Sequence, residues 1–348
     1  MIMKRNIKTF LSARPLCCYL IAAVTLALSF VSCNDEWKDE QYEQYISFRA
    51  PLNDQGVTPI YVPYTRKNAD GTPLFGQGQS NYQLPVIVSG STHNSRNLTV
   101  LVAHDPDTLA ALNWARFATR TELYFSDMWQ YASCPTSVDI PAGKDVSLLD
   151  IRFDFRNLDL VEKWVLPLTV VDEGQSYEAN PRKNYRKAML RVFPFNDFSG
   201  DYSATGLTIS VQGDANSTGL DKLRTYVVDD NTVFFYAGRF DESSPWRKNY
   251  KVYARFSGGT AGTVSFWCDN PEVEFKVNKE ASYRMVESDD QTQPYLRYRN
   301  VIINNVDYDF ADYTSSVGSK FYYNISGTLT LQRTINTQIP DEDQAIQW

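Results

Sequence analysis

From Tyr45 onward the chain is a succession of short runs of β-branched and aromatic residues, and this pattern limits the fold more than any other feature. The clearest run is 148–156, where Leu149, Ile151, Phe153 and Phe155 alternate with Asp150, Arg152, Asp154 and Arg156. Successive strand side chains point to opposite faces, so such a run buries one face and wets the other. QLPVIVSG, NLTVLVAH, WVLPLTVV and RKAMLRVFPF read the same way. Only DPDTLAALNWARF carries helix signals: Asp105 is placed to cap, and Pro106 sits at the first helical position, where its missing N–H costs nothing. Trp114 is expected to face inward from this helix with Ala110 and Phe117. The stretch from Asn53 to Asn81, rich in Gly, Pro, Asn and Gln, is expected to be long loops.

Near Phe195 the pattern restarts with NDFSGDYSATG, and from there to about Arg333 nearly everything reads as strand. The expected fold is all-β. Residues 45–195 form an immunoglobulin-like β-sandwich with one short helix, and residues 196–337 an antiparallel β-barrel or meander. Residues 338–348 form a polar tail. One hairpin can be registered outright. The Gly-rich turn Ser257–Thr263, centred on Thr260, pairs Phe256 with Val264, Ala254 with Phe266 and Val252 with Cys268 on the apolar face. On the other face Arg255 meets Ser265 and Tyr253 meets Trp267.

The first 44 residues are of a different kind. Lys4, Arg5, Lys8 and Arg14 precede an uncharged apolar run from Leu16 to Val31, which is too short for the ~20 residues of a membrane span. The sequence FVSC then gives way to NDEWKDE. Residues 1–32 are read as a signal peptide and Cys33 as the lipidated first residue of the mature chain, as in a bacterial lipobox, here relaxed at Phe30 and Val31. Several acyl chains on one cysteine would supply the multiple lipid signals that stable anchoring needs. Residues 33–44 are an acidic tether. Asp35, Glu36, Asp39 and Glu40 resemble a surface-export signal of Bacteroidetes-like lipoproteins, and they read equally as a solvated spacer.

The full chain carries a formal net charge of −7. Removing residues 1–32 takes away four basic and no acidic side chains, leaving 30 Lys and Arg against 41 Asp and Glu. That balance excludes nucleic acid as a partner, because polyanions need basic surface. Cys17 and Cys18 leave with the signal and Cys33 is the anchor, so only Cys134 and Cys268 remain, far apart in sequence. Whether they pair is open. The chain is not a disulfide scaffold, and its stability must come from its cores.

At LPVIVSGSTHNSRNLTV, the DPDTL helix, SVDIPAG, NLDLVEKWVLPLTVV and NPRKNYRKAMLRVFPFNDFSGDY the chain resembles the two-domain surface lipoproteins of gut Bacteroidetes. Their N-terminal domain also occurs fused to chitinase-like endoglycosidases, and their C-terminal domain is uncharacterised. The resemblance runs from about Tyr45 to Gln338. It implies an outer-membrane location facing the cell exterior, a neighbouring SusC/SusD-like glycan importer as candidate partner, and binding of an oligosaccharide or polysaccharide. It brings no site motif that can be carried over residue by residue.

The residues themselves offer little catalytic chemistry. His93 and His104 are the only histidines, and no Ser-His-Asp, Cys-His or zinc arrangement can be drawn. Asp150 with Asp154, and Glu272 with Glu274, read as solvated strand faces and not as a glycosidase pair. Asp307, Asp309 and Asp312 could offer oxygens to Ca²⁺, but they lack the Gly turn of a calcium loop and alternate like a strand. The chain is therefore expected to be no enzyme and to need no cofactor or metal. The DTL triplet at Asp107 resembles a Bacteroidetes O-glycosylation signal, and helix capping explains it as well.

Aromatic residues, 14% of the chain with 22 Tyr, are the useful signal. Flat sugar C–H faces stack on Trp and Tyr while amides and carboxylates bind hydroxyls. Trp164 shares parity with Leu166 and Leu168 and is expected in the core, and Trp37 lies in the tether. Trp246 falls on a loop, Trp267 and Tyr253 form the outward hairpin pair, and Trp129 and Tyr131 sit in an irregular connector. These five are the glycan-site candidates, with Arg247, Asn249 and Asp241 as hydrogen-bonding neighbours. Competing readings are burial of the pair against the first domain, a structural or adhesive lipoprotein that binds a protein, and, third, a glycoside hydrolase.

Overall fold

A computed structural model describes residues 43–348 except 183 and 215. The signal segment, Cys33, Trp37 and nearly all of the tether lie outside the described residues. The described chain is all-β apart from two short α-helices and a few 3₁₀ turns.

The first unit contains β1 (Tyr45–Phe48), β2 (Thr58–Pro63), β3 (Gln79–Val88), β4 (Leu98–His104), α1 (Pro106–Phe117), β5 (Phe125–Asp127), β6 (Ala132–Ser133), β7 (Ser137–Ile140), β8 (Val146–Asp154), β9 (Lys163–Val171), β10 (Glu178–Ala179) and β11 (Lys187–Phe195). One sheet has the order β10-β1-β3-β8-β6 and the other β2-β11-β9-β4-β7, with β5 added beside β9. Phe48, Val86, Leu149 and Ile151 of the first sheet share one core with Val62, Val100, Leu168 and Leu190 of the second. The alternating run 148–156 does what its period requires, burying Leu149, Ile151, Phe153 and Phe155. Two sheets around one core are present, but the sheets are mixed. β1 runs parallel to β10, β2 to β11 and β5 to β9. A purely antiparallel immunoglobulin-like arrangement does not contain such pairs. The expectation of loops throughout 53–81 does not hold at 58–63, because TPIYVP is a strand. Pro59 and Pro63 hid it, and both are tolerated because β2 lies at a sheet edge.

The helix forms where its caps predict. Asp105 accepts from the Thr108 N–H at 3.2 Å. Its inward face is Leu109 and Asn113, with Leu112 and Phe117 partly buried against Val165 and Met189 on the outer side of the six-stranded sheet. Asn113 bonds the Phe125 backbone in both directions, at 2.9 and 2.7 Å. Trp114, expected inside, is 63% exposed, because it lies about 100° round the helix from Asn113.

The second unit contains β12 (Gly200–Ser203), β13 (Leu207–Val211), β14 (Ser217–Gly219), β15 (Lys222–Val227), β16 (Thr232–Tyr236), β17 (Lys251–Gly258), β18 (Ala261–Trp267), β19 (Lys276–Val277), β20 (Ala281–Asp289), β21 (Leu296–Asp312) and β22 (Phe321–Asn336). The order β22-β12-β15-β16-β17-β18-β20-β21, closed by β21 against β22, makes an eight-stranded barrel. Closure needs the long last hairpin to bend. A bulge between Ile303 and Val306, with Asn305 at φ 58°, bends β21. Gly327 lies at φ 138°, where a Cβ would meet the Gly206 carbonyl at 2.0 Å, so β22 can pass from β13 to β12 only with glycine there. The β17–β18 register is the one the sequence predicts, Tyr253 with Trp267 and Phe256 with Val264 included.

The last residues are more than a polar tail. After α2 (Glu342–Ala345), β23 (Ile346–Gln347) pairs with β22, Asp341 and Asp343 form ion pairs with Arg66 of the first unit, and Trp348 stacks on Tyr61 at 4.2 Å. Cys134 and Cys268 are free thiols, one packed against each core. Among the described residues no helix is long and apolar enough to cross a membrane.

Candidate functional site

The connector after α1 is short of regular structure because each of its pieces serves a neighbour. β5 lies beside β9, a single 3₁₀ turn carries Trp129–Tyr131, and β6 then pairs its edge with Phe153 and Arg152 of β8. That pairing holds Gln130 and Tyr131 over the end of the five-stranded sheet. The result is a groove of about 450 Å³ lined by Phe75, Gln79, Gln130, Tyr131, Arg152 and Asp154. Ser80 also lines it. Its hydroxyl is buried, in a residue 1% exposed, and meets no hydrogen-bond partner. The Arg152 guanidinium lies 4.9 Å from the Phe75 ring. Asp154 accepts from Arg156 Nε at 2.9 Å, and that hydrogen bond holds its carboxyl down to about 2. The groove thus offers ring faces, two amides, a guanidinium and one carboxylate that stays ionised. Such a set suits a ligand with apolar C–H faces and many hydroxyls. It lacks the second carboxylate of a glycosidase pair.

Contacts continue from this groove across to the barrel. Tyr131 meets Trp164 edge-on at 5.1 Å, and Trp164 Nε1 donates to the Asp159 carbonyl at 2.8 Å. The Asp159 carboxylate holds Lys251 Nζ at 3.0 Å, and Lys251 lies 5.1 Å from the Tyr253 ring. Tyr253 stacks on Trp267 at 5.0 Å and 12°, and Arg255 caps Trp267 at 5.4 Å. Three of the five predicted aromatics are therefore joined in one strip over the junction of the two units. Trp164 keeps its predicted parity, but it sits at the start of β9, at the rim of the core, and is half-buried. Tyr253 also packs partly against Val161 and Phe234, so the pair is half-buried at the junction. Trp129, 36% exposed, stacks on His104 at 4.4 Å, and His104 Nε2 meets Asp127 at 2.7 Å.

Trp246 stands apart. It is 54% exposed on the β16–β17 loop and shares no ring contact with the strip among the described residues. Of the proposed neighbours, Arg247 serves the loop and not a ligand. Arg247 is fully buried, donating from Nε to the Val161 carbonyl at 3.1 Å and from Nη1 to the Glu122 carbonyl at 2.8 Å. Asp241 accepts from the Ser243 N–H and hydroxyl, and the Asn249 carbonyl accepts from Asn270. Arg247 is thus a pin between the units, and its assignment as a ligand donor is corrected by its burial.

Other expectations resolve by the company each residue keeps. Asp307 is filled by protein donors, Lys279 at 3.0 Å and the amides of Asn278 and Asn324 at 3.2 Å, and Asn324 also bridges to Asp309. Asp312 is bound to Tyr250 and the Thr314 N–H. Glu272 and Glu274 share Lys320. The Thr108 hydroxyl of the DTL triplet is enclosed by Asp105 and Lys187, which favours the capping reading. Sequence reasoning missed Phe75, Gln79 and Gln130, which come from loops and strand ends. It treated Arg152 and Asp154 only as a wet strand face. Gln130, between Trp129 and Tyr131, was the available clue.

A family model described as a domain of unknown function (DUF4973) matches residues 37–174. A second, described as a C-terminal domain, matches residues 186–330. The chain is 52% identical to a Bacteroides thetaiotaomicron protein of known structure called an auxiliary nutrient binding protein, covering 88% of this chain and 100% of that one at a TM-score of 0.81. A Bacteroides ovatus structure of unknown function is 42% identical over 87% of this chain and 100% of its own, at a TM-score of 0.76. A multidomain protein including DUF1735 from the same species is 41% identical over 87% and 100%, at 0.75. No curated protein matches.

Proposed function

Because the chain belongs to the family of two-domain Bacteroides proteins that carry the DUF4973 domain, we propose that it is a lipid-anchored accessory protein that binds a nutrient glycan at the cell surface without catalysis and passes it to a SusC/SusD-like importer. The observation that carries this reading is the groove at Tyr131, where half-buried ring faces, two amides, Arg152 and ionised Asp154 converge on a buried hydroxyl without a partner. A relative at 52% identity being called an auxiliary nutrient binding protein supports a binding role. The aromatic strip through Trp164 to Tyr253 and Trp267 would extend the surface for a longer chain. Cys33 would hold the two units on the outer membrane, and the acidic segment after it would lift them clear. The mature surface charge favours neutral or basic glycans over sulfated or uronic ones.

The test is a glycan array with the chain from residue 34 onward, followed by titration of each hit. Binding that falls at least tenfold in Tyr131→Ala, with the melting temperature unchanged, supports the site. An array without hits, together with co-purification of an importer complex, refutes glycan binding and leaves a protein partner. Turnover of any hit refutes the non-catalytic reading.

A further inference from the structure

We infer that the mouth of the barrel is a second saccharide site, separate from the Tyr131 groove and built to take one end of a neutral glycan. A cavity of about 400 Å³ opens there among β13, β14, the β16–β17 loop and the β21–β22 hairpin. Its floor is aromatic. Phe310 and Tyr323 stack at 5.2 Å and 20°, and Phe240 lies parallel on Tyr250 at 3.8 Å and 8°. The floor is also fixed in place. The Tyr250 hydroxyl donates to Asp312 at 2.7 Å, meets Thr314 Oγ1 at 2.8 Å, and accepts from the N–H groups of Tyr313 and Thr314. A ligand stacking there would not have to order the rings first, which removes one of the usual costs of binding.

The rim is polar and mixed in sign. Arg239 Nη2 donates to Thr218 Oγ1 at 2.7 Å and to the Gly219 carbonyl at 3.2 Å. No carboxylate lies within ion-pair distance of it among the described residues, so the other guanidinium donors are left for a ligand. Asp214, whose Oδ1 accepts from the N–H and amide of Asn216, and Ser315 complete the rim. One carboxylate, one hydroxyl and one guanidinium around an apolar floor do not select an anion. They supply donors and acceptors in the proportion that hydroxyls need. Barrel mouths are a common place for small-ligand sites, and the size falls in the usual range of about 300–1,000 Å³.

The inference rests on the glycan-binding function proposed above but on different residues, and the two sites are carried by different units. One glycan chain long enough to reach both would gain avidity, and short oligosaccharides would fill them independently. The test titrates neutral gluco-, manno- and galacto-oligosaccharides of four to six residues into the chain from residue 34 onward by calorimetry. The proteins are the wild type, Arg239→Ala, Arg239→Lys, Tyr131→Ala and the double variant Tyr131→Ala/Arg239→Ala. Two equivalents of ligand are expected for the wild type and one for each Ala single variant, with none for the double. Arg239→Lys should retain the mouth site about tenfold weaker. A wild-type stoichiometry of one that Tyr131→Ala abolishes and Arg239→Ala leaves intact overturns the mouth site and keeps the groove. The reverse pattern overturns the groove and keeps the mouth. Absence of any binding by the wild type overturns both.

Discussion

Replacing Arg247 with alanine should loosen the two units from each other. The guanidinium is fully buried and makes two charge-assisted bonds to main-chain carbonyls of the first unit, at 3.1 Å to Val161 and 2.8 Å to Glu122. Bonds of this type contribute about 1.5–3 kcal/mol each, and their loss leaves two carbonyls without donors. Against this, Nη2 is buried without a hydrogen-bond partner, and Glu162 at 4.0 Å is its nearest countercharge. The orphaned donor already costs the native protein about 1–3 kcal/mol. The net loss is therefore about 2–4 kcal/mol. For units of this size, that corresponds to a fall in melting temperature of roughly 5–15 °C. Calorimetry is the assay. One transition in the native protein should become two in Arg247→Ala, since the barrel and the first unit keep their own cores while losing their pin. Arg247→Lys, which can reach one carbonyl but not both, should fall between. A single transition within about 2 °C of the native value would refute the reasoning and show that the remaining contacts, Arg191–Glu242 at 2.7 Å foremost, suffice to hold the junction.

Three further outcomes are expected. Lys163 is buried against Phe117 and Phe125, and burial, reinforced by the Arg247 and Arg191 cations, pushes its ammonium down to about 8. The unfolded chain keeps that proton to about pH 10.4, so between these values it binds more protons than the native state and stability rises with pH. The full gain is about 3 kcal/mol, and it is absent below pH 8, where both states are protonated. Urea melts from pH 7 to 9.5 should show the rise, and Lys163→Met should flatten it. Above about pH 10 the raised pKa values of buried Tyr202, Tyr226 and Tyr236 act in the opposite sense, since the unfolded tyrosines ionise first. Cys33→Ala should move the protein from the membrane fraction to the soluble fraction, and intact mass measurement of the native protein should show acyl chains on Cys33. Truncation after residue 338 removes the Arg66 ion pairs and the Tyr61–Trp348 stack, and should lower the unfolding free energy by about 1–3 kcal/mol without changing binding at Tyr131.

What could be read from the sequence follows the range of the forces involved. Period-two alternation is local, so the strand at 148–156 and the β17–β18 register were legible to the residue, as was the cap at Asp105. β2 was not, because Pro59 and Pro63 weaken the local signal and its partner β11 lies more than a hundred residues away. The parallel pair of β1 and β10 was hidden by the same distance. Trp114 shows the limit of inferring burial from residue type: the helix presents Leu109 and Asn113 to the sheet, and an asparagine with two backbone bonds takes the place expected for the tryptophan. The site divides along the same line. Tyr131, Tyr253 and Trp267 stood out as surplus aromatics, and the fold joins them through Trp164, Asp159 and Lys251. Arg247 looked like a ligand donor because it sits in a polar loop, and only the docking of that loop on Val161 and Glu122 reveals a buried pin. Gln79, Gln130, Arg152 and Asp154 each have an ordinary solvated explanation taken singly. The groove is a property of their convergence around Tyr131, and convergence of residues from a loop, a 3₁₀ turn and two strands is the kind of information that linear pattern does not carry.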